Sequence, residues 1–431
     1  MRVWPRLLAG LLSLALVFVL SGCAKRVRQL TKKTEISIFL WVTPDELQVN
    51  QELKAEFERL HPNLEVKINN DPSGQAMQKL KTLIAGGEPP DLFSLHGAAF
   101  VPLAAEGALA DLGPFVEAES DLNLGDFYPG LLELCKYEGK LYSLPRYTSV
   151  YAIFYNKTLF RAADQPFPSQ REKWDWKEFL ETAKALTKPG ASGGRPERYG
   201  CAIDFTGARV YPWIWQNDGQ LLSPDRTRIT LDTPACREAF QFLIDLKDVY
   251  HVTPAVVRLE FREGIDAFKN QRVAMYQSGP WDVQVLKGIK DFEWDVAPLP
   301  TGKKAATLLG TENYAISSRS RHPQEAWELF KFLLSPESQA RMALALGKMP
   351  SRQSVAEKEF LQSSPDHDLQ VFVDAIGYAV MPPNLPDWEQ LGTAFKEELE
   401  LMWSGKVTVA QGCRDAQERM NAIVARRSDN R

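Results

Sequence analysis

Eleven tryptophans in 431 residues are the side chains best suited to hold a small molecule. Trp is costly to expose, so each is either core or a flat platform for a ligand. Trp213 and Trp215 stand two apart in Tyr211-Pro212-Trp213-Ile214-Trp215-Gln216-Asn217-Asp218, on one face if that stretch is extended. Trp281 follows Gly279-Pro280, Trp388 follows Pro386-Asp387, and Trp41 closes an apolar run. No catalytic set accompanies them. G-x-S-x-G, H-E-x-x-H, G-x-x-x-x-G-K-[ST] and a strand-borne G-x-G-x-x-G are all missing. Paired carboxylates for glycoside hydrolysis leave no sequence signature, because such pairs are close only in space. Five histidines lack metal spacing, and Cys135, Cys201, Cys236 and Cys413 lie too far apart for a zinc pattern. Whether any of those cysteines pair as disulfides stays open. The expectation is a binding protein, not an enzyme, with no cofactor and no metal.

The elements that must position these residues are legible. Ile36–Trp41 reads as a buried strand, followed by a helix over about Asp45–Leu60 with Val49, Leu53, Phe57 and Leu60 on one face. Leu64, Val66 and Ile68 alternate as a second strand, Gln75–Ala85 forms a helix, and Asp91–Leu95 a third strand. This alternation is the βαβ signature of a mostly parallel sheet covered on both faces. Asp175, Thr233 and Ser335 each stand where a helix N-cap is wanted, Pro323 opens another helix, and Gly347 ends the one begun at Ser335-Pro336. Lys188–Arg198, rich in Pro, Gly and Ser, is a surface loop. The length exceeds what one core usually supports, so two lobes are expected. A net charge of −4 gives no reason to expect nucleic-acid binding.

The N-terminus adds a location. Arg2 and Arg6 precede an uncharged apolar run, Leu7–Leu20, too short for a membrane span and right for a signal-peptide core. Leu20-Ser21-Gly22-Cys23 resembles the lipobox of bacterial lipoproteins, which implies cleavage before an acylated Cys23. Ala24–Thr34 carries Lys25, Arg26, Arg28, Lys32 and Lys33 without an acidic residue, as a solvated tether would. Basic residues near an anionic membrane surface add attraction of about 1 kcal/mol each.

Seven segments in order resemble the family 1 extracellular solute-binding proteins, the maltose-binding-protein-like receptors of ABC importers. They are His61-Pro62-Asn63-Leu64-Glu65-Val66, Gly87-Glu88-Pro89-Pro90-Asp91-Leu92, Gly139-Lys140-Leu141-Tyr142-Ser143-Leu144-Pro145, Tyr155-Asn156-Lys157-Thr158-Leu159-Phe160, Trp174-Asp175-Trp176, Ala274 through Trp281, and Gly347-Lys348-Met349-Pro350. The resemblance implies an α/β, two-lobe periplasmic-binding-protein fold of type II. Each lobe is then a mostly parallel sheet flanked by helices, joined to the other by hinge crossings. The expected division is a leader over 1–22, lipidated Cys23 and tether over 23–34, a first lobe of 35–145 plus 278–313, and a second of 146–277 plus 314–431. The chain would cross near Pro145, near Met275–Trp281 and near Gly310–Ile316. The implied function is capture of a sugar by a monomeric, membrane-anchored protein and delivery to a permease. A polyol phosphate, polyamine or oligopeptide as ligand, and service to a membrane sensor, are the alternatives.

Sugars offer apolar C–H faces and a rim of hydroxyls, which call for aromatic rings, carboxylates, amides and Arg. Trp41 and His96 end the first and third strands, where the carboxyl edge of an α/β sheet opens to ligand; core placement is the alternative for each. Arg146 and Tyr147 fall at the first expected crossing. In the family the tryptophan matching Trp281 lies near the cleft, and Gly279 lets backbone approach closely. Glu312 and Asn313 occupy the third crossing. Of Trp213 and Trp215, one is expected as platform and the other as core. Arg352 and Trp388 complete the set.

Overall fold

A computed structural model describes residues 33–73, 75–119, 122–168, 174–190, 194–255 and 261–429. The leader, Cys23 and nearly all of the tether lie outside the described residues. The chain begins β1 (Thr34–Leu40), α1 (Pro44–Leu60), β2 (Leu64–Asn70), α2 (Ala76–Ala85) and β3 (Leu92–His96), as the periodicity predicts, and α3 (Gly97–Ala105) follows without having been expected. The Thr43 hydroxyl accepts from the Glu46 amide and Pro44 sits in the first turn, so α1 starts with its free amides partly satisfied. Next come β4 (Leu144–Ser149), β5 (Ala152–Asn156), α4 (Trp176–Leu186), β6 (Tyr199–Ala202), α5 (Tyr211–Gln216) and α6 (Pro234–Asp248). They are followed by β7 (Val273–Ser278), β8 (Trp294–Pro298), β9 (Gly310–Ile316), α7 (Pro323–Leu333), α8 (Pro336–Leu346), α9 (Trp388–Trp403) and α10 (Val409–Asp429). The caps expected at Asp175, Thr233 and Ser335 each accept an amide, and Gly347 ends α8 in the left-handed region at φ 63°.

Two sheets form. The first has order β2-β1-β3-β9-β4 and the second β8-β5-β7-β6. In the first, β1 runs parallel to β2 and β3, while β9 is antiparallel to both its neighbours. In the second, β6 is parallel to β7, and β5 is antiparallel to β7 and β8. Each sheet is therefore parallel apart from one strand, and in each that strand is one entered from a crossing.

The crossings differ from expectation in position. The first leaves at Val150-Tyr151, between β4 of one sheet and β5 of the other, not at Pro145. After β7 the chain stays in the second lobe, because Phe292, Trp294 and Val296 are buried in that lobe's core and β8 pairs with β5. The second crossing is the stretch 299–309. The third follows α8 rather than preceding α7. Trp327, Phe330 and Leu333 pack with Ile36, Val66 and Tyr314, so 314–346 belongs to the first lobe. Burying a ring such as Phe330 fully contributes about 2–3 kcal/mol, far more than a loop constraint could override. The crossings are tied side by side. Thr307 Oγ1 accepts from the Tyr151 amide at 3.0 Å and donates to the Tyr151 carbonyl at 3.1 Å. The Thr148 amide donates to the Met349 carbonyl at 3.0 Å.

Candidate functional site

Strand direction decides which residues can meet. In the first lobe β1 and β3 are parallel, so Trp41 and His96 emerge at the same carboxyl edge. β9 runs the other way, which brings its early residue Glu312 opposite both His96 and Tyr147. The second lobe repeats the geometry. β6 and β7 are parallel, so Asp204 just beyond β6 and Trp281 just beyond β7 share one edge. Ala152 pairs with Ser278, which puts Tyr151 at that same edge. Carboxyl edges are where open α/β sheets hold ligands.

In the first lobe, Trp41 is 43% exposed, the unusual state for an indole that the core could have absorbed. Its ring stands 6.5 Å from that of His96, tilted by 60°. The turn behind it is fixed. The Trp41 amide donates to Ser94 Oγ at 3.1 Å, and the Asn70 side chain bonds both amide and carbonyl of Val42 at 3.1 Å. His96 is exposed to solvent yet ringed by protein, and that surrounding holds its pKa below the ordinary value, with Glu312 pulling part of the way back.

In the second lobe, Trp281 is half-buried and meets Tyr151 edge-on at 5.9 Å and 88°. A Cβ on Gly279 would fall 2.2 Å from the Trp281 ring, so glycine is there because the indole lies over its own turn. Asp282 braces that turn, accepting from Ser278 Oγ at 2.6 Å and Tyr276 OH at 3.0 Å. Burial pushes its carboxyl up to about 6. Arg209 Nε pairs with Asp204 Oδ2 at 3.2 Å. Burial raises the Asp204 pKa while Arg209 opposes the rise. Gln277 links this edge to the core, donating to the Arg209 carbonyl and accepting from Trp213 Nε1, both at 2.8 Å.

Trp41, His96 and Glu312 thus come together at one edge, and Trp281 stands at the other. Trp388 opens α9, nearly buried, with its ring 6.2 Å from Tyr211. The remaining candidates turn inward, which corrects the sequence reading. Arg146 is 1% exposed, its guanidinium sandwiched between the rings of Tyr147 and Tyr314 at 4.3 and 4.8 Å. It pairs with Glu46 and donates to Tyr147 OH, which commits the Tyr147 hydroxyl to the lobe interior. Lys348 reaches the same Glu46 at 3.1 Å, and the two cations pull a carboxyl that burial would raise below its ordinary value. Asn313 is fully buried, accepting from Thr311 Oγ1 at 2.7 Å. Arg352 is an interior staple, donating to the Leu334 and Leu122 carbonyls at 2.7 and 2.9 Å and pairing with Asp126 at 3.2 Å. Trp213 and Trp215 lie on helix α5, not an extended strand, and both are core.

Tyr151, Asp204 and Arg209 were missed by sequence reasoning. The usable signal was position for two of them: Tyr151 stands just before β5 and Asp204 just beyond β6, whereas Arg209 is brought in by the turn that follows. Among the described residues, no cluster of three or more His, Cys, Asp or Glu could hold a metal, and no helix is long and apolar enough to cross a membrane. Cys135, Cys201, Cys236 and Cys413 are buried free thiols, and burial pushes Cys135 and Cys413 up to about 12.

Comparison with known proteins follows the same outline. A family model for bacterial extracellular solute-binding proteins matches residues 43–340. A putative binding protein of Brucella abortus is 25% identical over 381 residues, covering 87% of this chain and 89% of that protein. The maltotriose-binding protein of Pyrococcus abyssi is 26% identical over 359 residues, covering 81% and 73%. An ABC substrate-binding protein of Listeria monocytogenes, solved in complex with cycloalternan, superposes with a TM-score of 0.83 at 25% identity, covering 91% of this chain and 99% of that one.

Proposed function

Because the chain belongs to the bacterial extracellular solute-binding protein family, we propose that it is the substrate-binding component of an ABC importer. It takes a sugar or oligosaccharide between its lobes and passes it, chemically unchanged, to a membrane permease. The observation that carries this reading is the pairing of two edges. Exposed Trp41 with His96 and Glu312 lines one, and Trp281 with Tyr151, Asp204 and Arg209 lines the other. Indole and phenol faces suit the C–H faces of a pyranose, while the carboxylates and guanidinium suit its hydroxyls. Micromolar binding corresponds to about −8 kcal/mol, within reach of two stacked rings and several charge-assisted bonds. Closing the lobes on ligand is a hinge motion about the three bonded crossings.

The protein works outside the cytoplasm, held to the membrane by an acylated Cys23, and acts as a monomer. A thermal-shift screen of the chain lacking residues 1–23 tests the ligand class, since ligand that binds only the folded state raises the melting temperature. Maltotriose and cycloalternan, named for the relatives, are the first sugars to try. A selective shift with one sugar class supports the reading. A shift only with a polyamine or phosphate ester overturns the ligand and keeps the fold.

A further inference from the structure

We propose that Lys81 and Glu389 form an electrostatic latch that biases the two lobes toward their closed arrangement; this rests on the two-lobe binding reading above. Lys81 Nζ lies 2.6 Å from Glu389 Oε2. The two residues belong to different bodies. Lys81 is on α2, whose Leu80 is buried with Phe39, Phe93 and Phe100 in the first lobe. Glu389 is on α9, whose Leu391, Phe395 and Leu399 are buried with Tyr211 and Phe240 in the second. The pair therefore spans 308 residues of sequence and joins two separate cores.

Its position ties it to ligand capture. α3, which packs against α9, begins at the residue after His96. Glu389 itself follows Trp388, the first residue of α9. Any opening that withdraws α9 from α3 carries Glu389 away from Lys81. In that motion the pair forms only when the lobes are together.

Its strength also fits. The side chains are 29% and 48% exposed, so the pair is solvent-screened. Such a pair shifts an equilibrium by about two- to fivefold. A latch of that size raises the closed population without trapping ligand, whereas a buried pair would need to shed its solvation on every cycle.

Charge reversal tests this without any ligand. Spin labels go on Glu65→Cys and Glu181→Cys, exposed sites in the first and second lobes, in the chain without residues 1–22 and carrying Cys23→Ser; the four remaining cysteines are buried. Interlobe distance distributions are then recorded for the parent, Lys81→Glu, Glu389→Lys and the double swap. The expected result is a closed component in the parent that falls about fivefold in each single reversal and returns in the swap. A purely local packing role would not be restored by exchanging the charges. Equal closed fractions in all four proteins, a swap no better than the singles, or no closed component in the parent would each overturn the latch. Because no sugar is present, failure here is separate from failure of the sugar assignment.

Discussion

Asp282→Asn should change how stability depends on pH. The carboxyl is 3% exposed, and burial raises its pKa from 3.8 to about 6. A tenfold change in a proton-binding constant is worth about 1.4 kcal/mol, so a charged Asp282 costs the folded state about 3 kcal/mol at neutral pH. The sign follows from the direction. A raised folded-state pKa gives a contribution fully present below about pH 4 and lost as pH rises through about 6. Asparagine keeps one acceptor for the Ser278 and Tyr276 hydroxyls and carries no charge at any pH. Urea unfolding of both proteins from pH 3.5 to 7 gives the difference directly. Relative to the parent, the variant should gain about 3 kcal/mol across that range, most of it between about pH 4 and 6. Groups such as Glu46, whose lowered pKa works in the opposite direction, are common to both proteins and cancel. Parallel stability profiles would refute the reasoning, because they would mean that the carboxyl ionises no less readily in the fold than in the unfolded chain.

Other expectations follow from the same geometry. Glu46→Gln leaves Arg146 and Lys348 without their shared carboxylate, and should lower unfolding free energy by about 3–5 kcal/mol in urea titration. Sugar affinity of the protein that remains folded should change little, since Glu46 and Arg146 are buried in the lobe interior. Cys23→Ser should move the full-length protein from the membrane fraction to the soluble fraction, read by fractionation and by mass of the mature N-terminus; retention in the membrane without a lipid adduct would refute anchoring through that thiol.

Much of the fold was readable because local signals agreed. The β1–α1–β2–α2–β3 run has clear periods, and Asp175, Thr233 and Ser335 cap helices with hydroxyl or carboxyl oxygens at the expected places. The site was only half readable, for identifiable reasons. In β4 five of six residues are buried, so alternation could not say that Arg146 points inward, and its partner Glu46 lies 100 residues away. Arg352 is satisfied by the carbonyls of Leu122 and Leu334, which no sequence pattern announces. All six residues of α5 are buried, so the helix has no polar face and Trp-Ile-Trp reads equally well as a strand. The crossings were misplaced because β8 and α7 are chosen by which core their rings fill, a tertiary decision.

Calorimetric titration of the parent, Trp41→Ala and Trp281→Ala with the sugar that gives the largest thermal shift tests the two-edge binding site most directly. Both indoles sit at carboxyl edges outside the fully buried cores, so both variants should fold. Each is expected to lose at least about tenfold in affinity, or about 1.4 kcal/mol. Sugar bound with unchanged affinity by both variants would place the ligand elsewhere and contradict the assignment.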